Sequence, residues 1–119
     1  LCQKLFHHLF ERDEHLSPQD YLAHIFQHFK KNQDHVSSLL LSKNDYFIRQ
    51  LQKELEHDVY PMLADELIQS HPDIPHSYLK HLVVSHFIET ISWWLKKGKS
   101  YNEQEVVQFY LEILHANSK

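Results

Sequence analysis

Twelve histidines are the first residues in this 119-residue sequence that could do chemistry. Imidazole binds zinc and titrates near neutral pH. His24 and His28 stand four apart, the spacing at which two rings on one helix can share an ion. His81 and His86 follow further along, and His57 is next to Asp58. Zinc needs a third or fourth ligand, and no second pair completes a ligand motif. His24 and His28 also alternate with Ile25, Phe26 and Phe29, which puts them on the outer face of a helix. No metal site is therefore assigned. Scattered surface histidines titrate broadly instead of switching, so a compositional habit is the simpler account of their number.

Other chemistry finds little footing. The single cysteine, Cys2, sits at one end and excludes an internal disulfide. There is no glycine-rich phosphate loop and no convincing nucleophile–base pair. Glu54, Glu56, Asp58, Asp65 and Glu66 share a stretch with Lys53 and read as a solvated helix face. No catalytic residue and no cofactor are expected, and the chain is not read as an enzyme.

The elements that must position these residues are all helices. One glycine and four prolines leave little material for the tight turns of a sheet protein. Leu5, Phe6, Leu9 and Phe10 carry helical spacing from Leu1 to about Arg12. Ser17-Pro18-Gln19-Asp20 supplies an N-cap hydroxyl, a proline at the first helical position and an acid behind it, so a helix runs from there to about Lys31. A short helix is predicted from His35 to Leu41, and Ser42-Lys43-Asn44-Asp45 caps the next. That run reaches about Ser70 with Pro61 inside it. Proline cannot donate the i→i−4 bond, so a kink or break is expected near Asp58. After the break at His71-Pro72-Asp73-Ile74-Pro75, a long helix extends to Lys97, where Gly98 is expected to end it in a left-handed cap. Asn102-Glu103-Gln104-Glu105 resembles a capping box and opens the last helix. The expectation is an all-α fold of about six helices in one domain covering residues 1–119.

Charge and hydropathy narrow the function. Hydrophobic residues make up 42%, enough for a core, and the formal net charge is −4 with no dense Lys/Arg tract. Affinity for nucleic acid draws on basic residues that displace counterions, so these residues are not expected to contact DNA themselves. No stretch is long and apolar enough to span a bilayer and no signal peptide is visible, so no membrane association and a cytoplasmic setting are expected.

The last two helices carry more apolar surface than one small core can use. The long helix has one stripe of Val84, Phe87, Ile91 and Trp94, and another of Leu79, Leu82, Val83 and Trp93. The last helix sets Val106, Phe109, Tyr110 and Ile113 beside Val107, Leu111 and Leu114. An amphipathic surface helix needs a single stripe. A second copy of the chain would cover the surplus in a four-helix contact about a two-fold axis. The residues expected at that interface are Val84, Phe87, Ile91, Trp94, Val106, Phe109, Tyr110 and Ile113. A central position for the long helix in a monomer would explain its two stripes about as well.

The segment Phe87-Ile88-Glu89-Thr90-Ile91-Ser92-Trp93-Trp94-Leu95-Lys96-Lys97-Gly98, followed by Tyr101-Asn102-Glu103-Gln104-Glu105-Val106-Val107, resembles the C-terminal domain of TetR-family transcription regulators. Within that family it is similar to a branch common in Firmicutes that includes regulators of dihydroxyacetone kinase operons. Phe29-Lys30-Lys31-Asn32, Ser37-Ser38-Leu39-Leu40-Leu41 and Asn44-Asp45-Tyr46-Phe47 extend the likeness over roughly residues 17 to 114. The resemblance implies a homodimer formed by the last two helices, a cavity for an unknown small-molecule or protein effector, and DNA contact only through an N-terminal helix-turn-helix. Nothing in these residues matches that reader domain, and it is expected to be absent from them. Relatives often carry small residues where this chain has His86 and Glu89, which makes His86 a pocket candidate. Tyr21, Phe47, Tyr60 and His86 come from different helices and are the tentative ligand contacts. The alternative is a free-standing helical interaction module with no DNA-binding half.

Overall fold

The computed structural model describes residues 17–42, 44–98 and 100–114. The helix expected over residues 1–12 and Cys2 lie outside the described residues. Within them every regular element is helical. α1 is Pro18–Lys31, α2 is Gln33–Leu41 and α3 is Asp45–Glu54. A π turn, Leu55–Val59, joins α3 to α4, Tyr60–Ser70. α5 is His76–Lys96 and α6 is Glu103–Leu114.

The helix starts follow from their caps. The Ser17 hydroxyl accepts from the Asp20 amide at 3.2 Å, with Pro18 in the first turn. The Asn44 side chain accepts from the Phe47 amide at 2.9 Å. Asn102 and Glu105 make the reciprocal box: the Glu105 amide donates to Asn102 Oδ1 at 2.8 Å, and the Asn102 amide donates to Glu105 Oε1 at 3.0 Å. Each satisfies amides that the first turn of a helix leaves without partners.

Pro61 acts where the sequence predicts an interruption, by a specific route. The Tyr60 amide bonds back five residues to the Leu55 carbonyl. The turn ahead of the proline widens into a π turn over Leu55–Val59, and the run continues without ending. Leu55 and Val59 stay buried through it.

α5 is the hub. It packs against α1, α2, α4, α6 and the π turn. Its inner side buries Leu79, Val83, Val84, Phe87, Ile91, Trp94 and Leu95. Phe87 meets Phe26 edge-on at 5.1 Å and Tyr110 at 5.8 Å, and Phe26 also lies 5.8 Å from Trp94. Such ring pairs add about 0.5–1.5 kcal/mol each beyond the area they bury. The Tyr110 hydroxyl donates to the Val83 carbonyl at 2.8 Å and pins α6 to the middle of α5.

This arrangement corrects the expected interface. Val84, Phe87, Ile91, Trp94, Val106 and Tyr110 are all buried within a single chain. Because α5 is central, α1 and α6 cover the stripe that had been assigned to a partner copy. Phe109 and Ile113 alone of that set remain exposed.

Gly98 is also corrected. Its φ lies outside the positive region, so no left-handed cap requires a glycine there. Its amide donates to the Trp93 and Trp94 carbonyls at 3.2 and 3.1 Å. A Cβ at this position would fall 2.7 Å from Cζ3 of the Trp93 ring. The residue is small because the indole lies across it.

A candidate contact face on the last two helices

Residues 82, 86, 89 and 93 follow one another at spacings of four, three and four along α5, so they share a face. That face is the one the core does not use. Leu82 and Trp93 are exposed on it, Trp93 at 41% while its neighbour Trp94 is at 1%. Phe109 and Ile113, one turn apart on α6, continue the patch, with Ile113 at 63%. Tyr78 at the start of α5 and Tyr101 between the helices extend it at either end. Of the large apolar side chains exposed among the described residues, only Tyr46 on α3 lies away from this stretch of chain.

The corner between α5 and α6 is held rigidly. The Trp94 indole N–H donates to the Tyr101 carbonyl at 2.9 Å, tying the connecting loop to the core. Tyr101 then sits 5.8 Å from Trp93, tilted by 33°, and 5.2 Å from Phe109, almost perpendicular at 82°. Three half-exposed aromatic rings thus stand in a row.

Between the helices runs an open groove of about 310 Å³. Trp93, Phe109, Ile113, Tyr110, Thr90, His86 and Glu89 line it. The His86 ring stacks on Tyr110 at 4.9 Å. Its Nε2 is buried and has no hydrogen-bond partner. Burial lowers the imidazole's pKa from its ordinary value. The Thr90 hydroxyl is already committed, donating to the His86 carbonyl at 2.6 Å. A second groove of about 260 Å³ shares Ile113 and continues over Tyr78, Leu82 and Leu67.

Of the four tentative ligand contacts, His86 alone lines the α5–α6 groove. Tyr21, Phe47 and Tyr60 are core residues on α1, α3 and α4. Tyr60 has one feature the others lack: its hydroxyl is buried with no hydrogen-bond partner, directly after the π turn, while Lys80 lies 5.7 Å from its ring. His24 and His28 touch edge-on at 4.3 Å on α1. Among the described residues, no group of three His, Cys, Asp or Glu is placed to hold a metal ion. Sequence reasoning missed Trp93, Leu82 and Tyr101 as surface residues, since the apolar periodicity of α5 gives no sign of which stripe faces out.

A sequence family described as "Transcriptional regulator C-terminal region", of the TetR type, matches residues 17–116. The chain belongs to the TetR family. It is similar in structure to a TetR transcriptional regulator from Streptococcus agalactiae 2603V, with a TM-score of 0.77 and 38% identity. The match covers 95% of this chain and 64% of that one, so the chain spans less than two thirds of that regulator's length. No curated protein matches. The TetR proteins it resembles are regulators and not enzymes. Among the described residues, no helix of this TetR domain is long and apolar enough to cross a membrane.

Proposed function

We propose that this chain is the effector-sensing and dimerisation domain of a TetR-type transcription regulator, one similar to the Firmicutes regulators of dihydroxyacetone kinase operons. In this reading it acts in the cytoplasm as a homodimer and reaches DNA through a helix-turn-helix domain outside these residues. The family is a regulator's C-terminal region, which favours this reading over a free-standing interaction module.

The observation that carries the dimer is the exposed face formed by Leu82, Trp93, Phe109 and Ile113. Large apolar patches on a small domain mark contact surfaces. A two-fold contact through α5 and α6 would bury them, with Phe109 and Ile113 kept from the sequence-based interface and Leu82 and Trp93 taking the place of the buried stripe. An obligate interface of that kind buries on the order of 2,000 Å² or more.

Effector sensing draws on the core. The unpartnered Tyr60 hydroxyl beside a π turn offers a polar group to a ligand that opens a space there, and Tyr21 and Phe47 belong to the same core. Single π turns inside α-helices are frequent at functional sites, and this one joins α3 to α4. Effector binding would favour one spacing of the two reader heads by population shift.

The test is a fusion of the chain to a helix-turn-helix head that binds its operator only when paired. Repression by the fusion, lost in Trp93→Glu and kept in the solvent-face control Glu56→Lys, is expected. No repression by the unsubstituted fusion, or repression indifferent to Trp93→Glu, would overturn the reading.

A further inference from the structure

We propose that two copies of this chain pair their α5 helices antiparallel, about a two-fold axis between Phe87 and Ile88, with His86 of one copy opposite the partner's Glu89 and Leu82 opposite the partner's Trp93. This register rests on the dimer reading above. It adds which side chains meet, and in which direction the helices run.

The spacing of the exposed stripe is the first reason. Leu82, His86, Glu89 and Trp93 follow at steps of four, three and four. Those are the alternating steps of a heptad seam, the pattern that lays two helices side by side. They also read the same in both directions. Reversal about the midpoint, between residues 87 and 88, exchanges 82 with 93 and 86 with 89. A two-fold axis through that point lays the stripe onto its own copy, as a closed self-contact requires. The midpoint is also close to the middle of α5, so the two helices overlap along most of their length.

Chemistry chooses the direction. An axis along the helices would run them parallel and set each residue on its own counterpart. Glu89 would then face the partner's Glu89 between closing apolar ends, and like charges placed together oppose association. Antiparallel pairing gives each Glu89 a His86 instead, and an imidazole carries an N–H in either protonation state. Both ends of the stripe then become the same apolar contact, Leu82 against Trp93.

The surface of the single chain suits that contact. Leu82 and Ile113 share a groove of about 260 Å³ with Ile74, Tyr78 and Leu79. The register brings the partner's Trp93 over it. The Trp93 ring lies against Gly98 and 5.8 Å from Tyr101, so it is placed before a partner arrives and loses little side-chain freedom on contact. A tryptophan set against a pocket is a common anchor of protein interfaces.

The test is disulfide trapping in a Cys2→Ser background. Chains carrying Leu82→Cys and chains carrying Trp93→Cys are oxidised separately and after mixing. Both positions are exposed in the single chain, so neither change opens the core. A disulfide needs Cα atoms within about 7 Å. The expected product is the mixed cross-link between positions 82 and 93. Like positions are offset by eleven residues in this register, about 16 Å along the helix, and stay unlinked. Cross-links between like positions, or none in any mixture of a chain that sediments as a dimer, would overturn the register and leave the dimer standing. Sedimentation equilibrium adds the polar pair. His86→Glu should weaken the dimer by about tenfold or more by setting acid against acid. Adding Glu89→His to it should restore the affinity, with equal helical circular dichroism throughout. A double variant as weak as His86→Glu would remove the His86–Glu89 pairing. An unsubstituted chain that stays monomeric at every concentration would remove the dimer reading itself, and the register with it.

Discussion

Tyr110 and Glu54 show how far single side chains set the behaviour of this domain. Tyr110 is fully buried, and burial pushes its phenol well above the ordinary range, so it stays a neutral donor to the Val83 carbonyl. Tyr110→Phe keeps the ring in the aromatic core and removes only that bond between α6 and α5. Its expected cost is about 1 kcal/mol, the net worth of one such hydrogen bond, read as a lower urea midpoint with an unchanged m-value. Glu54 is different. Burial, then a hydrogen bond and charge repulsion from Asp58, push its carboxyl up to about 7. A folded-state pKa above the unfolded value means that the folded chain holds the extra proton between about 4.5 and 7. Stability from this group is therefore present at pH 4.5 and below, and is lost as pH rises through 7. Glu54→Gln should raise the melting temperature at pH 8 and leave it nearly unchanged at pH 5. The opposite order would contradict the proton sharing between Glu54 and Asp58.

Helices and their junctions were the most legible level of the sequence. Ser17, Asn44 and the Asn102–Glu105 pair cap where their residue types say they should, because a capping side chain needs only the local turn to make its bond. The interruption before Pro61 was equally local. The orientation of α5 was not. Periodicity fixes which residues of a helix share a face, and says nothing of which face the rest of the bundle will cover. Both stripes of α5 are apolar; the bundle buries the whole of the first and Leu79 and Val83 of the second, and leaves Leu82 and Trp93 outside. Gly98 was misread for a related reason: its demand for smallness comes from the Trp93 ring lying over it and not from its own backbone angle. The adjacent tryptophans make a direct comparison. Trp94→Ala should cost about 3–5 kcal/mol by opening the core, a large share of the stability of a small domain. Trp93→Ala should leave the helical circular dichroism and melting of the monomer close to the parent. Equal losses in the two variants would show that Trp93 belongs to the core as much as Trp94 does. Gly98→Ala should displace the Trp93 indole, seen as a shifted emission maximum with the fold retained.

At the scale of the whole molecule, six of the eight side chains expected at a two-fold interface are buried within one chain, and Phe109 and Ile113 stay exposed. The central position of α5 consumes the stripe of Val84, Phe87, Ile91 and Trp94. What is left over is smaller and more aromatic, and it runs from Tyr78 and Leu82 to Trp93, Tyr101, Phe109 and Ile113. The groove with His86, Glu89 and the aromatic row could not be read from the sequence, since it forms only where α5 and α6 meet. Sedimentation equilibrium on the unsubstituted chain and on Ile113→Glu tests the claim on which the rest depends. Ile113 is exposed in the monomer, so the substitution leaves the fold intact. The account predicts a dimer for the unsubstituted chain at micromolar concentration and a monomer for Ile113→Glu, with equal helical content in both. A monomer for the unsubstituted chain at every concentration, or an undiminished dimer with glutamate at this position, would contradict it.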